Sequence, residues 1–262
     1  MTDPSTLSHR ELELLSALRR MGGSARSAEL AKILDVSEET VRRVIKSLSK
    51  AGAVERVHGG AYLAGGQTDP SFFRRIAQNA DEKRQIAAGM ADLIADGMTV
   101  FLDVGSTTAF VAEELRARWN LTVVTNSIGV AQTLMNHNGN RVHFLGGEMQ
   151  SDERGTFGHV TTQQARRFAF DVGVLSIDAV SAKRGFLYTN PAEAALAEVI
   201  SECADRIAVC MDHDKFDEKA PHQGMPPERV DLALTDKAPK GKLAEALVAW
   251  GVELIICKAK RK

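Results

Sequence analysis

The sequence predicts an α/β protein in which a small helical unit precedes a larger domain built on a mostly parallel sheet. Three observations predict it. From Val100 to Ile256, seven short apolar runs alternate with amphipathic stretches of helical period, the pattern of buried parallel strands covered on both faces. Before residue 63 the order is different: three short helical stretches, then two strand-like runs. Between them lies Ala64-Gly-Gly-Gln-Thr-Asp-Pro70, whose glycines and proline suit neither helix nor strand. The expected division is residues 1–63, a connector at 64–80 in which Phe72 and Phe73 dock against one domain or, as the weaker alternative, pack in a dimer contact, and a second domain at 81–262.

In the first unit, Leu12, Leu14, Leu15 and Leu18 fit the inner side of a helix that stops at Gly22-Gly23. Ser27 caps a second, short helix carrying Leu30, Ala31, Ile33 and Leu34. Asp35-Val36 leads to a new cap, Ser37, with Glu38 and Glu39 in the first turn, where carboxylates suit the helix dipole. The third helix covers about residues 38–50, with Val41, Val44, Ile45 and Leu48 inward. Two helices joined by a tight turn, the second polar and basic, make a helix-turn-helix pattern. After Gly52, residues 53–63 read as two short strands joined at His58-Gly59-Gly60, a wing. The candidate DNA-binding set is therefore Ser37, Thr40, Arg42, Arg43, Lys46 and Ser47 on the third helix, with Arg56 and His58 on the wing. Arginine and lysine suit phosphates and guanine edges, and hydroxyls suit either. A solvated basic face is the plainer reading of the same cations. The three-helix spacing with a wing behind it favours the nucleic-acid reading.

Composition narrows the class. Hydrophobic residues make up 44% and charged residues 26% of the chain, as in globular proteins. No run approaches the ~18 apolar residues of a membrane span, and Met1-Thr-Asp-Pro carries no basic-then-apolar leader, so a cytoplasmic protein is expected. Cys203, Cys210 and Cys257 share no metal-like spacing and are expected as buried free thiols; the seven histidines form no HxxxH pair. No metal and no cofactor is expected. Net charge is −1, split between residues 1–60 (10 Lys+Arg against 8 Asp+Glu, +2) and the rest (23 against 26, −3). The clustering of the first group matters more than its total.

In the second domain the strand candidates are Val100–Leu102, Thr122–Val124, Val142–Leu145, Val172–Ile177, Ile207–Met211, Leu232–Leu234 and Leu254–Ile256. Helical patterns fall at about 81–95, Thr107–Arg118, Ile128–His137, Thr161–Phe168, Pro191–Ala204 and Gly241–Trp250. Ligands of open α/β sheets bind beyond the carboxyl ends of the strands, so the residues just past each strand are informative. The first strand leads to Asp103-Val-Gly-Ser-Thr-Thr108, a polar turn into a helix. Free N–H groups and the dipole at such a helix start favour anions, Gly105 permits close approach, and Asp103 can accept from sugar hydroxyls. Later strands lead to Thr125-Asn126-Ser127, Gly146-Gly147, Asp178 with Glu193 beyond it, and Asp212-His-Asp-Lys215. The candidate effector set is Asp103, Gly105, Ser106, Thr107, Thr108, Thr125, Asn126, Ser127, Gly146, Gly147, Asp178, Glu193 and Lys215. It suits a phosphorylated polyol, with phosphate on helix N-termini and Lys215, and hydroxyls on the acids and amides. Each member also has a plain role: Asn126 and Ser127 as helix cap, Gly146-Gly147 as a tight turn, Glu193 as a first-turn carboxylate, Lys215 as a solvated lysine.

Taken together, Val36-Ser37, Thr40-Val-Arg-Arg43, Gly52 and Arg56-Val-His-Gly-Gly-Ala61 at the N-terminal end, then Phe101-Leu-Asp-Val-Gly-Ser-Thr-Thr108, Val124-Thr-Asn-Ser127, Gly146-Gly147, Gly158, Asp178, Gly185, Glu193-Ala194 and Asp212 to Lys215-Phe216, resemble the DeoR family of bacterial transcription regulators over nearly the whole length. The resemblance implies a winged helix-turn-helix joined to a sugar-phosphate sensor similar in fold to ribose-5-phosphate isomerase. It also implies a homo-oligomer, dimer or tetramer, and repression at double-stranded operator DNA relieved by a phosphorylated sugar. Three departures stand out: Val44-Ile45 where the family continues with Asp-Leu, Ala197 where members place Lys, and Met149-Gln150 where many have Leu-Arg. The last two leave the pocket less cationic, with Arg154 or Lys183 as substitutes. Two other functions fit parts of the pattern. A sugar-phosphate isomerase needs a general base, for which Asp103, Asp178 or Glu193 can be nominated, and an effector-blind dimerisation domain needs no ligand at all. A helix-turn-helix has no place in an isomerase, and no catalytic residue is assigned.

Overall fold

The computed structural model describes residues 7–20, 24–57, 59–64, 75–76 and 78–258, and the chain divides into two units, Met1–Gln78 and Asn79–Lys262. The expected stop at Gly22-Gly23, His58 of the wing, and Phe72 and Phe73 of the connector lie outside the described residues.

The first unit contains α1 (His9–Arg20), β1 (Ser24–Arg26), α2 (Ser27–Leu34), α3 (Glu38–Lys50), β2 (Val54–Val57) and β3 (Gly60–Leu63). Its core joins Leu14, Leu15 and Leu18 of α1 to Leu30 of α2 and to Val41, Ile45 and Leu48 of α3. Leu12, expected inside, is 43% exposed; at 100° per residue it falls on the flank opposite Leu14 and Leu18. Ser27 is the first residue of α2 rather than a cap ahead of it, and its N–H is held by the Gly59 carbonyl at 2.7 Å. The wing has three strands instead of two, in the order β1-β3-β2 and antiparallel. Gly60 is required where β3 crosses β1, because a Cβ there would stand 2.3 Å from the Ala25 carbonyl oxygen.

The second unit is built on seven strands: β4 (Thr99–Leu102), β5 (Thr122–Thr125), β6 (Arg141–Phe144), β9 (Val172–Leu175), β12 (Ile207–Cys210), β14 (Leu232–Thr235) and β15 (Glu253–Ile256). They form one sheet in the order β15-β14-β12-β9-β4-β5-β6, and every pairing in it is parallel. Alternate side chains of the strands feed two cores. Val100, Leu102, Val123 and Val174 pack under α4 (Ala80–Asp92), α5 (Ser106–Leu115) and α6 (Ile128–Leu134). Phe101, Val124, Leu175 and Val209 pack under α7 (His159–Ala165), α8 (Pro191–Cys203) and α9 (Gly241–Ala249). Helices on both faces are what a fully parallel sheet requires, since both of its faces are apolar.

Two small antiparallel additions were not expected from the sequence: a hairpin of β7 (Glu148–Gln150) with β8 (Gly155–Phe157), and a meander of β10 (Ala179–Ser181), β11 (Gly185–Tyr188) and β13 (His222–Gln223). The three cysteines are free; Cys210 and Cys257 are buried, whereas Cys203 is half-buried. No helix among the described residues is long and apolar enough to cross a membrane.

Sheet order positions the site. The chain runs β4-β5-β6 toward one edge, then returns to the other side of β4 to lay down β9, β12, β14 and β15. The connections therefore reverse direction between β4 and β9, and a crevice opens beyond the carboxyl ends at such a reversal.

Candidate functional site

At that reversal, the turn after β4 and the turn after β9 are tied together by one carboxylate. Asp103 Oδ2 accepts from the Ser176 N–H at 2.6 Å and from its hydroxyl at 2.9 Å. Oδ1 accepts from the Gly105 N–H at 2.9 Å and from the Thr108 hydroxyl. Four donors fill the acceptor positions of the group. Burial pushes the Asp103 carboxyl above its ordinary range, while those four hydrogen bonds work in the opposite direction. The carboxylate expected to hold a ligand thus organises the loop instead. Gly105 has a related reason. Its φ is an ordinary −62°, but a Cβ would stand 1.9 Å from Ser176 Oγ, so the space read as room for a ligand holds a serine.

What this arrangement leaves open is the start of α5. Gly105 is its N-cap and supplies no side-chain cap, and no acidic residue stands in its first turn. Ser106, Thr107 and Thr108 are all buried, and their N–H groups are the orphans of the helix start. Neighbouring helix starts are closed. Ser127 Oγ accepts from the Val130 N–H at 3.3 Å at the head of α6, and Asn190 Oδ1 accepts from the Ala192 N–H at 2.9 Å at the head of α8. Ser127 and Asn190 are caps in geometry.

The remaining predicted residues divide. Thr125 joins β5 to β4, donating to the Leu102 carbonyl at 2.6 Å and accepting from the Ser127 N–H at 2.9 Å. Gly146 gives its N–H to Gln164 and its carbonyl to Thr161, and a Cβ on Gly147 would meet Thr161 Oγ1 at 2.2 Å. The glycine pair is a tight turn packed on α7. Asp178 accepts from the Thr189 N–H at 2.7 Å. Lys215 is half-buried beyond β12, and among the described residues its ammonium has no ion pair. Next to it Asp212 is engaged by Lys83 at 3.8 Å and by Asn79 at 3.1 Å.

Asp103, Asn126 and Glu193 do come together, on one cavity that Phe101, Val104, Phe157, Leu175, Tyr188, Leu196 and Ala197 complete. Asn126 donates from Nδ2 to the Thr156 carbonyl at 3.1 Å, yet among the described residues its Oδ1 is buried without a partner, as is the Tyr188 hydroxyl. Burial pushes the Tyr188 phenol well above its ordinary range, reinforced by the charges of Asp103, Glu193 and Asp178. Tyr188 was missed in the sequence because a tyrosine on a fully buried strand reads as core. Its only sequence signal is a polar tip in an otherwise apolar strand. Ala197, the departure from a family lysine, lies on this cavity; neither Arg154 nor Lys183 does, and Lys183 is exposed in the β10–β11 turn.

In the first unit, α3 presents Arg42, Arg43 and Lys46 to solvent. Ser37 caps the helix, its Oγ accepting from the Thr40 N–H at 3.2 Å and lying 2.9 Å from the Thr40 hydroxyl. Arg42 is paired with Glu38 at 2.9 Å and Glu39 at 3.8 Å. Ser47 donates to Glu11 of α1 at 2.6 Å. Arg56 is exposed on β2. Ser37, Thr40 and Ser47 thus have intramolecular partners, and Arg43 and Lys46 stand out as the exposed cations of the face.

A helix-turn-helix unit followed by a doubly wound sensor sheet defines a transcription regulator. Residues 10–65 match the DeoR-like helix-turn-helix domain and residues 78–237 match the DeoR C-terminal sensor domain. The chain belongs to the DeoR family. It is 30% identical over 240 residues to the glycerol-3-phosphate regulon repressor of Escherichia coli (strain K12), covering 92% of this chain and 95% of that protein. It is 32% identical over 248 residues to the HTH-type transcriptional repressor CsqR of the same strain, covering 95% of this chain and 94% of that protein. Among solved structures it is similar to ribose 5-phosphate isomerase A from Methanocaldococcus jannaschii, with 18% identity and a TM-score of 0.41 over 54% of this chain and 56% of that one.

Proposed function

We propose that this regulator represses a carbohydrate operon, and that a phosphorylated sugar bound at the carboxyl edge of its sheet controls its affinity for operator DNA. The observation that carries the reading is the start of α5. Three orphan N–H groups stand there at the sheet's reversal point, with no side-chain cap and no acid within the first turn, and the half-buried Lys215 follows β12 on the same edge of the sheet. That is a phosphate site by its electrostatics. In this reading Ser106, Thr107, Thr108 and Lys215 hold phosphate. Asn126 and Glu193 face the polyol, and Asp103, Gly105, Thr125, Ser127, Gly146, Gly147 and Asp178 shape the loops that hold them.

On the DNA side, Arg43 and Lys46 contact phosphates and base edges in the major groove, Arg42 joins them by exchanging its glutamates for DNA, and Arg56 meets the flanking backbone. The protein works as a homo-oligomer, since effector control through half-site spacing needs two recognition helices. Effector binding changes the relation between subunits and hence that spacing. Catalysis is not part of this reading: Asp103, the most deeply buried of the nominated bases, has all its acceptor positions taken.

The test is thermal stability of the full chain against sugar phosphates and their unphosphorylated parents. A phosphate at 100 times its Kd should stabilise by about 2.7 kcal/mol, the parent should not, and Thr107→Ala or Lys215→Ala should abolish the difference. A flat panel favours an effector-blind domain and contradicts the sensor reading.

A further inference from the structure

The cavity at the β4/β9 reversal is lined by ten residues, none of them cationic. Among the described residues two of its polar atoms have no partner: the Tyr188 hydroxyl and Asn126 Oδ1, on residues that are 1% and 0% exposed. Native interiors rarely leave such atoms unpaired, because each forfeits the hydrogen bonds it made with water. One is a donor and the other an acceptor, which is the complement of an alcohol, itself both acceptor and donor.

Resting on the sugar-phosphate reading above, we propose that this cavity takes a hydroxyl of the effector between Tyr188 and Asn126 and rejects a second anionic group. The regulator then selects a polyol or sugar phosphorylated at one end over bisphosphates and phosphorylated sugar acids.

Charge is the first reason. Asp103 and Glu193 both stand on the cavity wall, and no ammonium or guanidinium of the described residues does; Ala197 is the wall residue where a lysine would offset part of that negative charge. An anion brought here meets two carboxylates, and like charges repel. Protonation is the second. With its phenol held above the ordinary range by burial and those charges, Tyr188 remains a neutral donor at any physiological pH.

The experiment titrates the full chain by calorimetry with glycerol 3-phosphate, glucose 6-phosphate and fructose 6-phosphate, and with fructose 1,6-bisphosphate and 6-phosphogluconate. The expected result is that a monophosphate binds at least about tenfold tighter than either doubly anionic probe. Tyr188→Phe should melt no lower than the parent in the absence of ligand, since it removes an unpaired polar atom, yet bind that monophosphate about tenfold more weakly. Glu193→Gln, a half-exposed and milder change, should narrow the gap between singly and doubly anionic probes. If the parent protein responds and Tyr188→Phe binds as well as it does, or the bisphosphate binds as tightly as the monophosphate, this inference is overturned and the phosphate site at α5 stands. If the parent protein responds to no probe, both fall together.

Discussion

Helices α3 and α5 begin in the same physical situation and resolve it in opposite ways. Each starts with orphan N–H groups at the positive end of a dipole. In α3 the chain answers with its own residues: Ser37 caps, and Glu38 and Glu39 occupy the first turn. In α5 the cap is a glycine and the first turn, Ser106-Thr107-Thr108, is neutral. An anion arriving at α3 finds its place taken, so in the proposed reading a polyanion is met instead by the exposed cations along the helix face. The first turn of α5 has neither cap nor acid of its own, and the nearby Asp103 carboxylate is bound to the Gly105 N–H and the Thr108 and Ser176 side chains. In the proposed reading the two phosphate contacts of one molecule use different parts of a helix, and the first-turn acids distinguish them.

The comparison can be broken most sharply by giving α5 what α3 has. Ser106→Asp puts a carboxylate in the first turn, where the helix itself tolerates it. Sugar-phosphate binding measured by calorimetry should weaken on the order of 100-fold through like-charge repulsion, with Ser106→Asn as the neutral control; parental affinity in Ser106→Asp would disprove the assignment.

Next in size is Gly105→Ala. The φ of −62° suits alanine, so only the clash with Ser176 Oγ at 1.9 Å acts. Denaturant melts should show a loss of about 1–3 kcal/mol, part of which Ser176→Gly restores in the double variant. Ser37→Ala should cost about 1 kcal/mol through the lost cap of α3, with sugar-phosphate affinity unchanged.

The smallest effect is pH-dependent. The Ser47 hydroxyl first, then the N–H and hydroxyl of Ser8, hold the Glu11 carboxyl below its ordinary range. A depressed acid stabilises the folded unit above its ordinary pKa, and that contribution is lost as pH falls through the depressed value. The melting difference between parent and Ser47→Ala should therefore shrink from neutral pH to about pH 3; a difference that stays constant would show that the contact contributes nothing through its charge.

The five inner strands of the sheet are buried on both faces and have no polar side to disguise them, whereas the edge strands β6 and β15 carry exposed polar residues such as Arg141 and Glu253. The sheet strands stood in the sequence as short, mostly apolar runs. The three-residue strands β1, β7, β8 and β10 did not, since three residues are too few to carry a period. The site was legible in kind and less so in role. Residue type located the polar turns, but a carboxylate that binds ligand and one that ties loops look alike until its donors are seen. Asp103 is the example, and its partner Ser176 lies 73 positions away. Gly105 was read as leaving room for a ligand, whereas the room it leaves is filled by that serine. Tyr188 stayed hidden because nothing local marks a buried hydroxyl as unpaired.

The most direct test of the central claim is an amide NMR titration of the full chain with the sugar phosphate that stabilises it. The account predicts saturable shifts of the Ser106, Thr107 and Thr108 N–H signals with one common Kd, while the Thr40 and Val41 signals at the start of α3 stay where they are. Binding that leaves the three α5 amides unmoved would contradict it.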